Sequence, residues 1–227
     1  MDPVGRAGRI VGALIIIQLV STATLRVLQA PFFAAGGFLV NVAPHSIQVA
    51  FAALLILAIE ALWLGVALTA FPAFYERAPR MALALVALTT VIVAAAAAEV
   101  ATAMSLMSVS EAYAKGSQIE REQLQAVRVI VASARNGTYT VARLLDGAAA
   151  WALYAALLRL ALVPRWLAGF GLLAATLWIV SVAATLFGHR IVTPLLVPLG
   201  VIHLILAVRL SSQGFRAAAA SNSAPST

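Results

Sequence analysis

Residues 81–109, MALALVALTTVIVAAAAAEVATAMSLMSV, contain a single ionisable side chain, Glu99. About 20 apolar residues in an α-helix cross the ~30 Å hydrocarbon core of a bilayer, and in lipid each backbone N–H must find its partner inside the segment. A run this long and this apolar therefore predicts a membrane-spanning helix. The same pattern recurs along the chain, between Pro or charged breakers, giving six spans at about 9–29, 46–70, 81–109, 137–161, 165–187 and 192–211. Pro31 and Pro72 are expected to close the first two, and Pro164 to open the fifth. The fold class is all-α, a polytopic bundle of six transmembrane helices. Composition agrees: 63% of residues are hydrophobic and 10% charged, against about 25% charged in ordinary soluble domains.

The net charge of +7 would point to nucleic acid in a soluble protein. Here it comes from arginines that flank spans, so no nucleic-acid partner is expected. Arg6 and Arg9, Arg77 and Arg80, Arg159 and Arg165, and Arg209 and Arg216 fall on alternate connections. The positive-inside rule then places both termini in the cytoplasm of a multi-pass protein of the cell membrane. Residues 1–8 read as a short cytoplasmic segment before a retained first helix. Residues 212–227, with AAAASNSAPST at the end, read as a disordered cytoplasmic tail. With no cysteine in the chain, disulfides, thiolate catalysis and cysteine-ligated metals or clusters are excluded.

One stretch does not fit a plain bundle. Residues 118–136, QIEREQLQAVRVIVASARN, have helical periodicity and run into the fourth span with only Asn136-Gly137 between. The fourth helix is expected to begin near Gln118 and extend beyond the membrane on the outer side. Gly137 is a place where it can kink.

Charges inside the spans are the candidate site. Arg143 and Asp146 stand three residues apart on one helix face, a spacing that allows an ion pair. Each buried charge costs at least about 2.5–3.5 kcal/mol on insertion scales, so such groups face the bundle interior and find partners. Candidates are Glu60 in the second span, Glu99 in the third and His203 in the sixth, with Arg26 and Arg135 nearer the outer end. Together Glu60, Glu99, Arg143, Asp146, His203, Arg26 and Arg135 predict a polar cavity that opens outward. The plainer alternative is an ion pair that fixes helix register, with Arg26 and Arg128 snorkelling to headgroups and His203 bonded to a neighbouring helix.

The segments GRIVGALIII, LVPRWLAGFGLLAATLWIV and PLGVIHLILAVRLSSQGF carry a resemblance. On them the chain resembles a family of bacterial six-helix membrane proteins catalogued only as a domain of unknown function, over about residues 8–215. The resemblance implies topology and no reaction. In the family's closing motif a Glu, a Trp and a Lys stand where this chain has His203, Arg209 and Gln213, while Gly214 agrees.

Two classes of function compete. The first is a membrane protein whose cavity binds a small molecule, lipid or ion, with transport as its extension. A homo-oligomer could complete such a transporter, since six helices are few for one; the second class is a non-catalytic partner, sensor or accessory subunit that uses the 118–136 helix to meet a protein partner outside, its buried charges purely structural. Enzymatic readings are weaker. No His-x-x-x-His or His-Glu-x-x-His spacing is present, so no metal and no cofactor is expected. A serine–histidine dyad from Ser181 or Ser105 with His203 competes with serines bonding back to their own helix. Bis-histidine haem ligation would need His45 or His189 to fold inward.

Overall fold

The structure, a computed structural model, describes residues 3–33 and 38–215. Its helices are α1 (Pro3–Gln29), the short α2 (Phe38–Val42), α3 (Ser46–Tyr75), α4 (Pro79–Lys115), α5 (Gln118–Arg159), α6 (Arg165–Ala183) and α7 (Val197–Gln213). Single 3-10 turns lie at Ala30–Phe33, Ala43–His45, Ala184–Phe187 and Thr193–Leu195. Among the described residues there is no strand, and six helical units are long and apolar enough to cross a membrane.

The long helices form a closed ring. Each packs on its neighbours in sequence, α1 on α3, α3 on α4, α4 on α5, α5 on α6 and α6 on α7, and α7 returns onto α1. Small residues make that closure. Gly8 and Gly12, four apart on one face of α1, let the backbone of the final turn of α7 come into contact. A Cβ at Gly12 would lie 2.5 Å from the amide nitrogen of Ser211, and one at Gly8 would strike the amide of Phe215. This is a G-x-x-x-G contact, in which missing side chains allow close backbone approach. Gly214, at φ 68°, then turns the chain so that Phe215 packs, buried, 6.1 Å from the ring of Phe74.

Several boundaries move from where the sequence places them. α1 already starts at Pro3, so residues 3–8 are part of the first helix. α3 continues through Pro72 to Tyr75. A proline removes one intrahelical bond, and the burial of Phe74 against Phe215 holds the last turn in place. At the other end, α7 reaches Gln213 and Phe215 is buried. Residues 212–215 therefore belong to the bundle rather than to a tail; 216–227 lie outside the described residues.

α5 starts at Gln118 because Ser117 and Glu120 form an N-terminal box: the Glu120 carboxylate accepts from the Ser117 amide at 2.7 Å and from its hydroxyl at 2.8 Å. The helix runs unbroken past Gly137 to Arg159. At 1.5 Å per residue it is about 63 Å long, roughly twice the hydrocarbon thickness. α4 accompanies it, so the excess length is a helical hairpin. Arg121 ties its turn, donating to the Tyr113 carbonyl at 3.1 Å. On α4, Ser110 accepts from the Ala43 amide and donates to the Leu39 carbonyl, which fastens the α2 segment over one end of the ring.

Apolar packing is divided. A large core holds Val11, Ile15, Phe74, Leu153, Leu157, Leu167, Leu206 and Leu210. A small one near α2 holds Phe32, Val42, Val49 and Ala52, with Met104 and Met107 against it.

Candidate functional site

Arg143 organises the charged residues of three helices. Its Nη1 lies 2.7 Å from Oδ2 of Asp146, one turn on along α5, and its Nη2 donates to Oε1 of Glu60 on α3 at 3.0 Å. Oε2 of Glu99 on α4 stands 3.9 Å from the same Nη2, an ion-pair distance without a hydrogen bond. The guanidinium also lies over the Tyr139 ring at 5.4 Å. The side chains of Glu60 and Glu99 are only 3% and 4% exposed. Three carboxyls thus gather on one guanidinium. Arg143 is the one cation within ion-pair distance of all three among the described residues.

A glycine sets the position of that arginine. A helical glycine costs about 1 kcal/mol relative to alanine, and Gly147, directly after Asp146, sits within α5. A Cβ there would meet Ile179 at 2.6 Å and Trp178 at 2.7 Å. Without it, α6 comes close enough for the Trp178 indole to donate to the Arg143 carbonyl at 2.8 Å. The indole fixes the backbone from which the guanidinium projects.

Next to the cluster is a cavity of about 70 Å³. Glu60, Glu99 and Arg143 line it with Tyr139, and Arg26, Gln29 and Arg135 line it nearer the end of α1. Five of the seven residues that the sequence singles out thus share one space, and Asp146 adjoins it through Arg143. Four polar atoms in this region are buried without a hydrogen-bond partner: Oε2 of Glu99, Oδ1 of Asp146 and the Nε of both Arg135 and Arg143. A smaller apolar pocket of about 30 Å³ adjoins, lined by Phe32, Phe38, Val49, Ala52, Ala53 and Ala103 and sharing Gln29, Ile56 and Arg135 with the first.

His203 is placed elsewhere. It is buried on α7, donates from Nδ1 to the Leu199 carbonyl at 2.9 Å, and meets the edges of Trp63 at 5.8 Å and Tyr154 at 5.4 Å. His203 does reach the helices of the acids, but at rings set further along them: Trp63 lies three residues past Glu60 on α3, and Tyr154 eight past Asp146 on α5. Tyr154 itself packs flat against Gly171 of α6, where any Cβ would collide with its ring. The candidate serines separate too. Ser105 bonds back to Ala101, but Ser181 reaches across to Val192, donating to its carbonyl and accepting from its amide, and so pins the connection before α7. Neither is shown bonded to His203. His45 faces the Asn41 carbonyl at 2.7 Å.

Tyr139 and Trp178 were not singled out as site residues by sequence. Tyr139 had a local signal, since it stands four residues before Arg143 on the same helix face. Trp178 had none, because its role depends on how closely α6 approaches.

One family pattern, described as a domain of unknown function (DUF4386), matches residues 10–214. No curated protein and no solved structure matches the chain.

Proposed function

The chain belongs to the DUF4386 family, and we propose that it is a multi-pass protein of the cell membrane that binds a small polar ligand in the cavity beside Arg143. One observation carries this reading: ionisable side chains from four helices line a single cavity, and three of them, Glu99, Arg135 and Arg143, keep buried polar atoms without partners. A purely structural ion pair would close on itself. Burying a polar group without a partner costs about 1–3 kcal/mol, and a bound ligand removes that cost. The alternate distribution of arginines puts both termini in the cytoplasm and the cavity, next to the end of α1, toward the outer leaflet.

Because the chain has no cysteine, the test is direct. Ile59→Cys lines the cavity, and Leu206→Cys lies in the closed core. A charged, membrane-impermeant thiol reagent added outside should modify Ile59→Cys and spare Leu206→Cys. If Ile59→Cys stays unmodified from both sides, the cavity is closed and the reading fails.

A second reading has its own support. Ile119, Val127 and Ile130 on the early part of α5 are exposed and share one side of the helix, an apolar face suited to a partner. Ile130→Glu would then abolish a cross-linked complex while leaving labelling of Ile59→Cys unchanged.

A further inference from the structure

Among the described residues, the charges in the cavity are unequally satisfied. The terminal nitrogens of Arg143 are engaged by Glu60 and Asp146, while its Nε is buried without a partner. Glu99 reaches it only at 3.9 Å, and its Oε2 is buried without a hydrogen bond. Arg135 forms no ion pair, and its Nε is likewise buried without a partner. Among the residues that line this space, Glu99 therefore leaves an acceptor unsatisfied, and Arg135 and Arg143 each leave a donor.

Each simple ligand answers only half of this. An anion at Arg135 leaves the Glu99 oxygen unpaired and adds negative charge beside three carboxyls; a cation at Glu99 leaves Arg135 unpaired. A molecule carrying both charges meets both needs, since a buried charge is tolerated when it is paired and hydrogen-bonded. Size narrows the class further. At about 10–15 Å³ per water-sized occupant, the cavity of about 70 Å³ takes about five to seven non-hydrogen atoms. The adjoining apolar pocket, which also touches Arg135, adds room for a short hydrocarbon group.

We infer that the ligand is a small zwitterion of the α-amino acid class with a short apolar side chain. Its ammonium lies at Glu99, its carboxylate at Arg135, and its side chain points toward Val49, Ala52 and Ala103. This rests on the cavity reading above.

The probe is L-valine, added to the full-length Ile59→Cys protein in detergent before the thiol reagent. L-valine should slow modification at least tenfold, while acetate and methylammonium, each carrying one of the charges, should not. Glu99→Gln and Arg135→Gln should each weaken protection by L-valine at least tenfold, and Arg135→Lys should restore part of it. Melting temperatures of these variants in the absence of L-valine check that they fold. Labelling that L-valine does not slow, or that acetate or methylammonium slows equally, overturns the zwitterion while leaving the cavity reading intact. Protection unchanged in well-folded Glu99→Gln and Arg135→Gln overturns it too. Absence of labelling in every condition overturns the cavity reading itself.

Discussion

Arg143 and His203 are both polar side chains within the bundle with aromatic rings against them, yet their surroundings have little in common. Arg143 draws bonds from other helices, with Glu60 on α3, Glu99 on α4 and the indole of Trp178 on α6. His203 satisfies itself on its own helix, through the Leu199 carbonyl, and lies against apolar ring edges. The difference follows from charge. A guanidinium cannot be left alone in a low-dielectric interior and must recruit counter-charges; a neutral imidazole needs one acceptor and then packs like any aromatic ring. The first arrangement ties three helices together and borders a cavity, and the second closes a core.

That contrast predicts unequal costs. Arg143→Met strands three buried carboxyls and should lower stability by about 3–5 kcal/mol, the cost of breaking a buried pair from one side, read as the largest drop in melting temperature. Gly12→Leu should cost about 1–3 kcal/mol or more by forcing α1 and α7 apart, and it should do so without altering thiol labelling at Ile59→Cys. Gly147→Ala should lower stability by about 1–3 kcal/mol, less the helix-propensity gain, because its methyl displaces Trp178. Unlike Gly12→Leu, it should change cavity labelling, because it moves the backbone of Arg143. His203→Phe loses one hydrogen bond and keeps the ring, so a loss of about 1 kcal/mol is expected, with ligand protection untouched. A larger effect of His203→Phe on ligand protection than of Glu99→Gln would reverse the comparison. Ser117→Ala, at the exposed start of α5, should leave the melting temperature of the bundle unchanged.

Much of the site could be read from the residues. The three-residue spacing of Arg143 and Asp146 allows their pairing, and the positions of Glu60 and Glu99 within their spans make them candidate partners. His203 lies midway along its own span, but position along a span does not say which side chains of the other helices it will meet. Gly147 followed Asp146 in plain sight without revealing that α6 would press against it. The closing contact between α1 and α7 did leave a signal, since Gly8 and Gly12 have the spacing of a close helix pair, but spacing does not name the partner.

The sequence by itself determined that six helices are long and apolar enough to cross a membrane, that one helix starts as early as Gln118, and that the inner charges must turn inward, because hydropathy and charge burial are costs each segment bears alone. Only the tertiary structure decided that Arg143 binds acids from three helices while His203 is shut away from them, and that Glu99, Arg135 and Arg143 keep unsatisfied atoms beside one cavity. Those outcomes depend on the order of helices around the ring and on how closely their backbones approach, and neither is a property of any one segment.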